Sequence, residues 1–174
     1  MEQILDAKGL TEAQAIARYR ERNYPKPAMT ADIVVLAKRE DSLRVLLIRR
    51  KGHPFLGKLA LPGGFANENE PIEETAAREL AEETGVEGLS LELVGVYSAP
   101  GRDPRGWVVS AAFVSVVDAQ LLDLRAGDDA AEADWFCFDG EILSRDGEQL
   151  AVDGLAFDHG KILRDAYKQA AQRG

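Results

Sequence analysis

Three glutamates, Glu79, Glu82 and Glu83, stand together near the middle of the chain. On a helix they are related by i, i+3 and i+4, so their carboxylates fall within roughly a 100° arc of one face. Like charges so placed repel by about a few tenths of a kcal/mol per exposed pair, and the crowding asks for a positive partner. An all-oxygen ligand set suits a hard divalent cation, Mg²⁺ or Mn²⁺, better than zinc. Neither His53 nor His159 has a second histidine or a cysteine at a zinc-like spacing. A glutamate-rich helix face is also an ordinary solvated surface, and Glu79 to Glu83 alone would be read that way. The longer pattern changes the reading. From Gly64 the chain runs five residues to Glu70, then seven to Arg78-Glu79-Leu80-Ala81-Glu82-Glu83-Thr84-Gly85-Val86, which fixes nine positions over 23 residues.

A second segment with chemical potential is Ser98-Ala99-Pro100-Gly101-Arg102-Asp103-Pro104-Arg105-Gly106-Trp107. Prolines and glycines stiffen it, and Arg102 and Arg105 could fork onto phosphate or ribose oxygens. Its plainer reading is a hairpin tip with solvated arginines. The basic run Arg49-Arg50-Lys51, with Lys58, could steer phosphates into a cleft or simply close a strand, and Arg50 is taken as a substrate-binding candidate. Trp107, Phe65, Phe55 and Tyr24 are the aromatics that could stack on a base, although each more commonly packs in a core or at an edge. His159 reads as a packing or capping residue, and His53 lies in a loop without an assigned role.

The elements that must hold these residues are legible from periodicity. A helix is expected from Pro71 to about Thr84, stopped by Gly85, with Ile72, Ala76 and Leu80 forming the stripe that anchors it. A capping box at Thr11-Glu12-Ala13-Gln14 starts an earlier helix reaching about Asn23, ended by Pro25 and Pro27. Strands are expected at Ile33–Leu36, Val45–Ile48, Leu91–Tyr97, Trp107–Val117 and Ala133–Phe138. The first two are continuous apolar runs, as in strands covered on both faces. A short helical piece near Glu141–Leu143 and a last helix from Asp158 to about Gln172 complete the order. Helices packed on a mixed sheet fit it better than a regular βαβ repeat. No linker, repeat or low-complexity tract interrupts the chain, which divides into an N-terminal helix and arm (1–30) and a single domain (31–174).

Composition bounds the partners. With 174 residues, 45% hydrophobic and 29% charged, the chain can bury one core. Thirty acidic against 21 basic residues give a net charge of −9, which repels a nucleic-acid polymer on average while leaving a small anionic ligand possible. No stretch approaches the roughly 20 apolar residues that span a bilayer, and the start lacks a signal-peptide pattern. The single Cys137, in Trp135-Phe136-Cys137-Phe138, excludes an internal disulfide and is expected to be buried as a small apolar residue. A reducing cytoplasm is the expected setting.

The pattern from Gly64 to Val86 resembles the Nudix box, G-x5-E-x7-R-E-U-x-E-E-x-G-U with U aliphatic, at every defined position. The resemblance implies an α/β/α sandwich with a mixed central sheet, in which the box forms a loop-helix-loop. It implies metal ligation by Glu79, Glu82 and Glu83, often with the Gly64 carbonyl, and orientation of those carboxylates by Arg78 and Glu70. The reaction implied is attack by water on a phosphorus of a diphosphate, with two or three cations bridging phosphate oxygens. A base or further ligand is often a carboxylate on a later loop; here Asp128, Asp129 and Glu132 are candidates, with Glu132 favoured. The Arg102–Arg105 loop, Tyr24-Pro25-Lys26-Pro27 and Leu155-Ala156-Phe157-Asp158-His159 resemble the ADP-ribose pyrophosphatase subgroup. Leu59 departs from it, since many relatives carry tryptophan there. The subgroup implies hydrolysis of ADP-ribose to AMP and ribose 5-phosphate, and commonly a homodimer exchanging N-terminal segments. The alternatives are a broader hydrolase of GDP- or UDP-sugars, a nucleoside triphosphate hydrolase, and an ADP-ribose sensor that does not cleave its ligand. Sensors of this family carry an added C-terminal DNA-binding module, which is not expected here in the residues up to Gly174.

Overall fold

The computed structural model describes residues 4–39, 42–118 and 133–172. Helix α1 (Glu12–Glu21) starts on the expected capping box: Gln14 N–H donates to the Thr11 hydroxyl, and the Gln14 side chain accepts from Thr11 N–H. None of its residues is buried. Then come β1 (Ala28–Arg39), β2 (Ser42–Arg49), the short β3 (Leu59–Ala60) and β4 (Gly63–Phe65), and α2 (Ile72–Thr84). The rest of the chain gives β5 (Glu92–Tyr97), β6 (Val108–Asp118), β7 (Ala133–Phe138), β8 (Ile142–Arg145), β9 (Glu148–Ala151) and α3 (His159–Ala171).

The strands form one sheet in the order β5-β6-β1-β2-β7-β8-β9, with β3 added to β2 and β4 to β1. The β1–β6 pair is parallel and the other pairs are antiparallel, so the sheet is mixed as expected. Strand alternation distributes β1 and β2 between two cores. Ala31, Ile33, Val35 and Leu46 pack with Ala76 and Leu80 of α2 on one face. Val34, Leu36, Val45 and Leu47 pack with Ile162, Leu163 and Ala166 of α3 on the other. Both strands are therefore covered on both faces, which is why they read as unbroken apolar runs. Helices on either side of the sheet make the α/β/α sandwich.

Two expectations are corrected. Glu141–Leu143 is not helical: Ile142–Arg145 is β8, paired with β9 around Asp146-Gly147, whose φ values of 50° and 86° make a two-residue turn of the kind that suits a hairpin. Cys137 is exposed, because alternation along β7 turns Phe138 inward and Cys137 out. Smaller differences lie at element ends: β1 begins at Ala28, before the stretch read as strand, and Pro71 precedes the first turn of α2 instead of opening it. No helix among the described residues is long and apolar enough to cross a membrane.

Candidate active site

Helix α2 stands on Thr75, Ala76, Leu80 and Thr84, all buried, and Gly85 ends it at φ 72°. The face turned away from that footing carries the charges. Arg78 is their hub. Its Nε and Nη2 donate to the two oxygens of Glu70 at 2.7 and 2.9 Å, and its Nη1 donates to Glu79 at 2.6 Å and Glu82 at 3.3 Å. Its Nη2 also reaches the Phe65 carbonyl at 3.0 Å, tying the helix to β4. Glu70 accepts further bonds from Asn67 N–H and the Thr75 hydroxyl. Arg78 first, then those two donors, hold the Glu70 carboxyl well below the usual carboxylate range.

Glu83 is in the opposite condition. Burial, reinforced by the charge of Glu79, pushes its carboxyl up to about 7, although Gly63 N–H donates to it at 2.8 Å. It has no ion-pair partner among the described residues. The glycine pair of β4 leaves room for Glu79 on one side and for the β1 backbone on the other. A Cβ on Gly64 would lie 2.5 and 2.6 Å from the two Glu79 carboxylate oxygens, and one on Gly63 (φ 154°) would collide with the Ala31 carbonyl. Among the described residues, no three acidic, histidine or cysteine side chains are gathered closely enough to enclose an ion; Arg78 draws Glu79 and Glu82 onto itself.

The other wall comes from the far side of the sheet. Gly63 pairs with Asp32 of β1, and strand parity puts Asp32 on the same face as Val34, under the start of α3. There it accepts the Ser110 hydroxyl at 2.5 Å, and the Arg102 guanidinium (3.5 Å) and His159 Nε2 (3.4 Å) lie beside it. Leu61 N–H donates to His159 Nδ1 at 2.9 Å, which assigns the ring proton to Nε2 in the neutral imidazole. Burial depresses the His159 pKa despite Asp32, so the ring stays neutral. Arg102 clamps Asp158 with two bonds of 2.7 and 2.9 Å, its side chain only 4% exposed. Burial opposes its charge, but Asp158 and Asp32 outweigh that and hold the proton more firmly. Arg105 makes the same bidentate contact with the buried Asp103, at 2.6 to 3.2 Å. Arg50 donates to the carbonyls of Pro54 (2.8 Å) and Gly52 (3.5 Å).

Arg50, Arg102 and Arg105 line one narrow cavity of about 70 Å³ with Asp32, Gly63, Gly64, Phe65 and Phe157. Glu79 and Glu83 approach the same Gly63-Gly64 pair of β4 from the α2 side. A larger cavity, about 730 Å³, lies along β8 and β9 near Arg49, Lys58 and Arg145, but none of the box residues lines it. The smaller one is the cavity that borders the Gly63-Gly64 pair of the box entry.

The sequence candidates thus fall into two groups meeting at Gly63-Gly64: Glu70, Arg78, Glu79, Glu82 and Glu83 on one side, and the three arginines on the other. Glu132, with Asp128 and Asp129, lies outside the described residues. Arg102 is not a free fork; it is spent on Asp158. Of the aromatics, Phe65 stands at the cavity, Phe55 packs on Phe157, and Tyr24 pairs with Tyr19. Trp107 is 59% exposed and does not line the cavity. Asp103, Phe157 and Asp158 lie in segments singled out from the sequence but had no individual role there, and Asp32 was not singled out. Asp32 left one signal, a carboxylate directly before the apolar run Ile33–Leu36 of a strand covered on both faces.

The NUDIX domain model matches residues 26–152. An ADP-ribose pyrophosphatase of Methanocaldococcus jannaschii is 40% identical over 159 residues, covering 91% of this chain and 83% of the relative. An ADPR-responsive transcriptional repressor, NtrR, of Acinetobacter baylyi is 30% identical, covering 90% of this chain but 60% of the repressor. A MutT/nudix family protein of Enterococcus faecalis superposes with a TM-score of 0.78 at 37% identity, over 94% of this chain and 70% of that one. The NUDIX domain of Shewanella oneidensis NrtR, crystallised with ADP ribose, gives 0.71 at 28% identity, over 92% and 99%. A family model spanning most of the chain and a close relative matched over most of both lengths mean that this chain belongs to the NUDIX family and is a Nudix hydrolase.

Proposed function

We propose that this hydrolase splits the diphosphate bond of a nucleoside diphosphate sugar, converting ADP-ribose and water to AMP and ribose 5-phosphate. The observation that carries the reading is the meeting, at Gly63-Gly64, of a carboxylate face from α2 and an arginine wall from the opposite side of the sheet. The 40% identical ADP-ribose pyrophosphatase supports the choice of sugar.

Glu79, Glu82 and Glu83, with the Gly64 carbonyl, would hold Mg²⁺ or Mn²⁺. The donor set fits, being all oxygen, with Glu83 carrying a half-buried carboxyl that has no side-chain cation at ion-pair distance among the described residues. When bound, such ions offset charge on the phosphates and acidify water. Arg78, itself fixed by Glu70, orients Glu79 and Glu82. Arg50 and Arg105 bind phosphate oxygens, while Arg102 holds the loop that presents Arg105. Glu132 is the proposed base. A homodimer belongs to the same reading: α1 buries none of its residues, and Ile16 and Tyr19 on it are exposed.

A second reading, ADP-ribose sensing without cleavage, is favoured by the likeness to NtrR and to the NrtR domain crystallised with ADP ribose. A Mg²⁺-dependent assay against ADP-ribose, GDP-mannose, UDP-glucose, NADH and nucleoside triphosphates, with products identified, separates the readings. AMP and ribose 5-phosphate, formed fastest from ADP-ribose, are expected. Tight binding of ADP-ribose without products would replace the hydrolase reading by the sensor, and a flat profile would replace ADP-ribose by a broad substrate class.

A further inference from the structure

Two distant segments, one carrying Arg50 and Phe55 and the other Arg105, meet the neighbouring His159 on the ring of Phe157. The Arg50 guanidinium carbon lies 4.8 Å from its centroid and that of Arg105 lies 5.4 Å away, with Arg105 also 4.7 Å from the Phe65 ring. Phe55 meets the ring edge-on at 4.8 Å, and His159 lies tilted against it at 5.2 Å. Phe55 and Phe157 both have left-handed backbones, φ 61° and 52°, where bulky residues are strained, so packing has to hold this contact in place.

The two cations differ in what neutralises them. Arg105 gives Nε and Nη2 to Asp103, whereas Arg50 gives Nε and Nη2 to carbonyls and has no carboxylate at ion-pair distance among the described residues. In each, Nη1 has no hydrogen-bond partner among those residues. Burial, and then the charge of Arg105, push the Arg50 guanidinium below its ordinary value. Two like charges drawn to one ring gain from its negative face, but that attraction is weak beside a true counter-anion. The cavity between them opens on Gly63 and Gly64.

We propose that Phe157 is a positioning residue that holds Arg50 and Arg105 as a paired receptor for the two adjacent phosphates of a diphosphate, and so sets the preference for diphosphate over monophosphate anions. The proposal rests on the reading of this cleft as a phosphate site, but not on turnover. Each guanidinium is fixed by its own segment and brings one unused donor; the ring shared between them fixes their separation. An aliphatic side chain would leave both arginines in place but remove the surface that registers one against the other.

The test is calorimetric titration of the full-length protein with inorganic pyrophosphate and inorganic phosphate, in EDTA, for wild type, Phe157→Leu, Phe157→Met and Phe157→Tyr. Wild type is expected to bind pyrophosphate at least tenfold tighter than phosphate. Leu and Met should weaken pyrophosphate binding about tenfold and phosphate binding less than twofold, while Tyr, which keeps the ring, should restore the preference. If Leu fails to fold, Met carries the comparison. A wild type without preference, or ring-less variants that retain it, would overturn the proposal. Because the titration needs neither metal nor hydrolysis, its failure leaves the hydrolase reading intact, and inactivity toward ADP-ribose leaves the receptor standing.

Discussion

The two walls of the cleft are built on different principles. The acidic wall is one helix: Glu79, Glu82 and Glu83 share a face because of the helical period, and Arg78, one residue before them, gathers two of them. The basic wall is a tertiary product. Asp32 comes from β1, Arg50 from just after β2, Arg102 and Arg105 from the loop before β6, and Phe157, Asp158 and His159 from the entry to α3. Charges on the helix remain partly wet, with Glu82 59% exposed, whereas Arg102 is dry. A local motif can therefore gather charges on a surface, while charged groups drawn from many segments need burial and pairing to stay in register.

That contrast can be broken at its strongest point first. If the acidic wall carries the chemistry, Glu82→Gln and Glu83→Gln should each lower kcat/KM about a thousandfold or more, roughly 4 kcal/mol, without loss of fold by circular dichroism. Activity surviving both changes with normal metal dependence would sink the assignment. Next comes a split within the basic wall. Arg102→Ala leaves the half-buried Asp158 without its bidentate partner and the buried Asp32 without its guanidinium neighbour, and should cost about 3 kcal/mol of stability by urea denaturation, as a broken buried pair does. Arg50→Ala strands only carbonyl acceptors and should cost about 1 kcal/mol, but raise KM about tenfold. Equal stability losses would mean that the two arginines do the same job.

The smallest effect is in pH. His159, depressed by burial, is neutral when folded, while the unfolded imidazole takes a proton near 6.5. Its contribution to stability is therefore lost as pH falls below about 6.5. Glu83, raised to about 7, keeps its proton when folded, while the unfolded carboxyl has lost it above 4.5. Its contribution is present below that value and is lost as pH rises toward 7. In metal-free buffer between about pH 5 and 6.5 the two slopes oppose, each at most about 1.4 kcal/mol per pH unit. Relative to wild type, Glu83→Gln should tilt stability upward with pH and His159→Asn should tilt it downward. Tilts of the same sign would show that one of the two groups is not buried as described.

Legibility followed the same divide. The box helix, its apolar footing and the Thr11 capping box depend on residues within a few turns of one another, so the pattern exposes them. Arg50, Arg102 and Arg105 were recognisable as basic residues near turns, but their partners were not, because Asp32–Arg102 and Arg102–Asp158 contacts join residues that no periodicity relates. The β8–β9 hairpin was missed although Asp146-Gly147 is a strong hairpin signal; Glu141–Leu143 was weighed without the turn that follows it. Cys137 was placed by residue type, when its neighbour Phe138 had the better claim to the interior side of the strand.

The parallel ladder between β1 and β6 matches Ala28 through Lys38 with Val108 through Asp118, joining parts of the chain that α2 and β5 separate. In folding time this distance matters. A single helix such as α2 can form within about a microsecond, but closing a ladder across so long an intervening chain is slow, because the entropy of closure must be met before pairing returns anything. Asp32 and Ser110 meet only once that ladder is in register, and Arg102 lies beside Asp32. A refolding molecule is therefore expected to form the α2 helix early and the β1–β6 ladder, with the arginine side of the cavity, late.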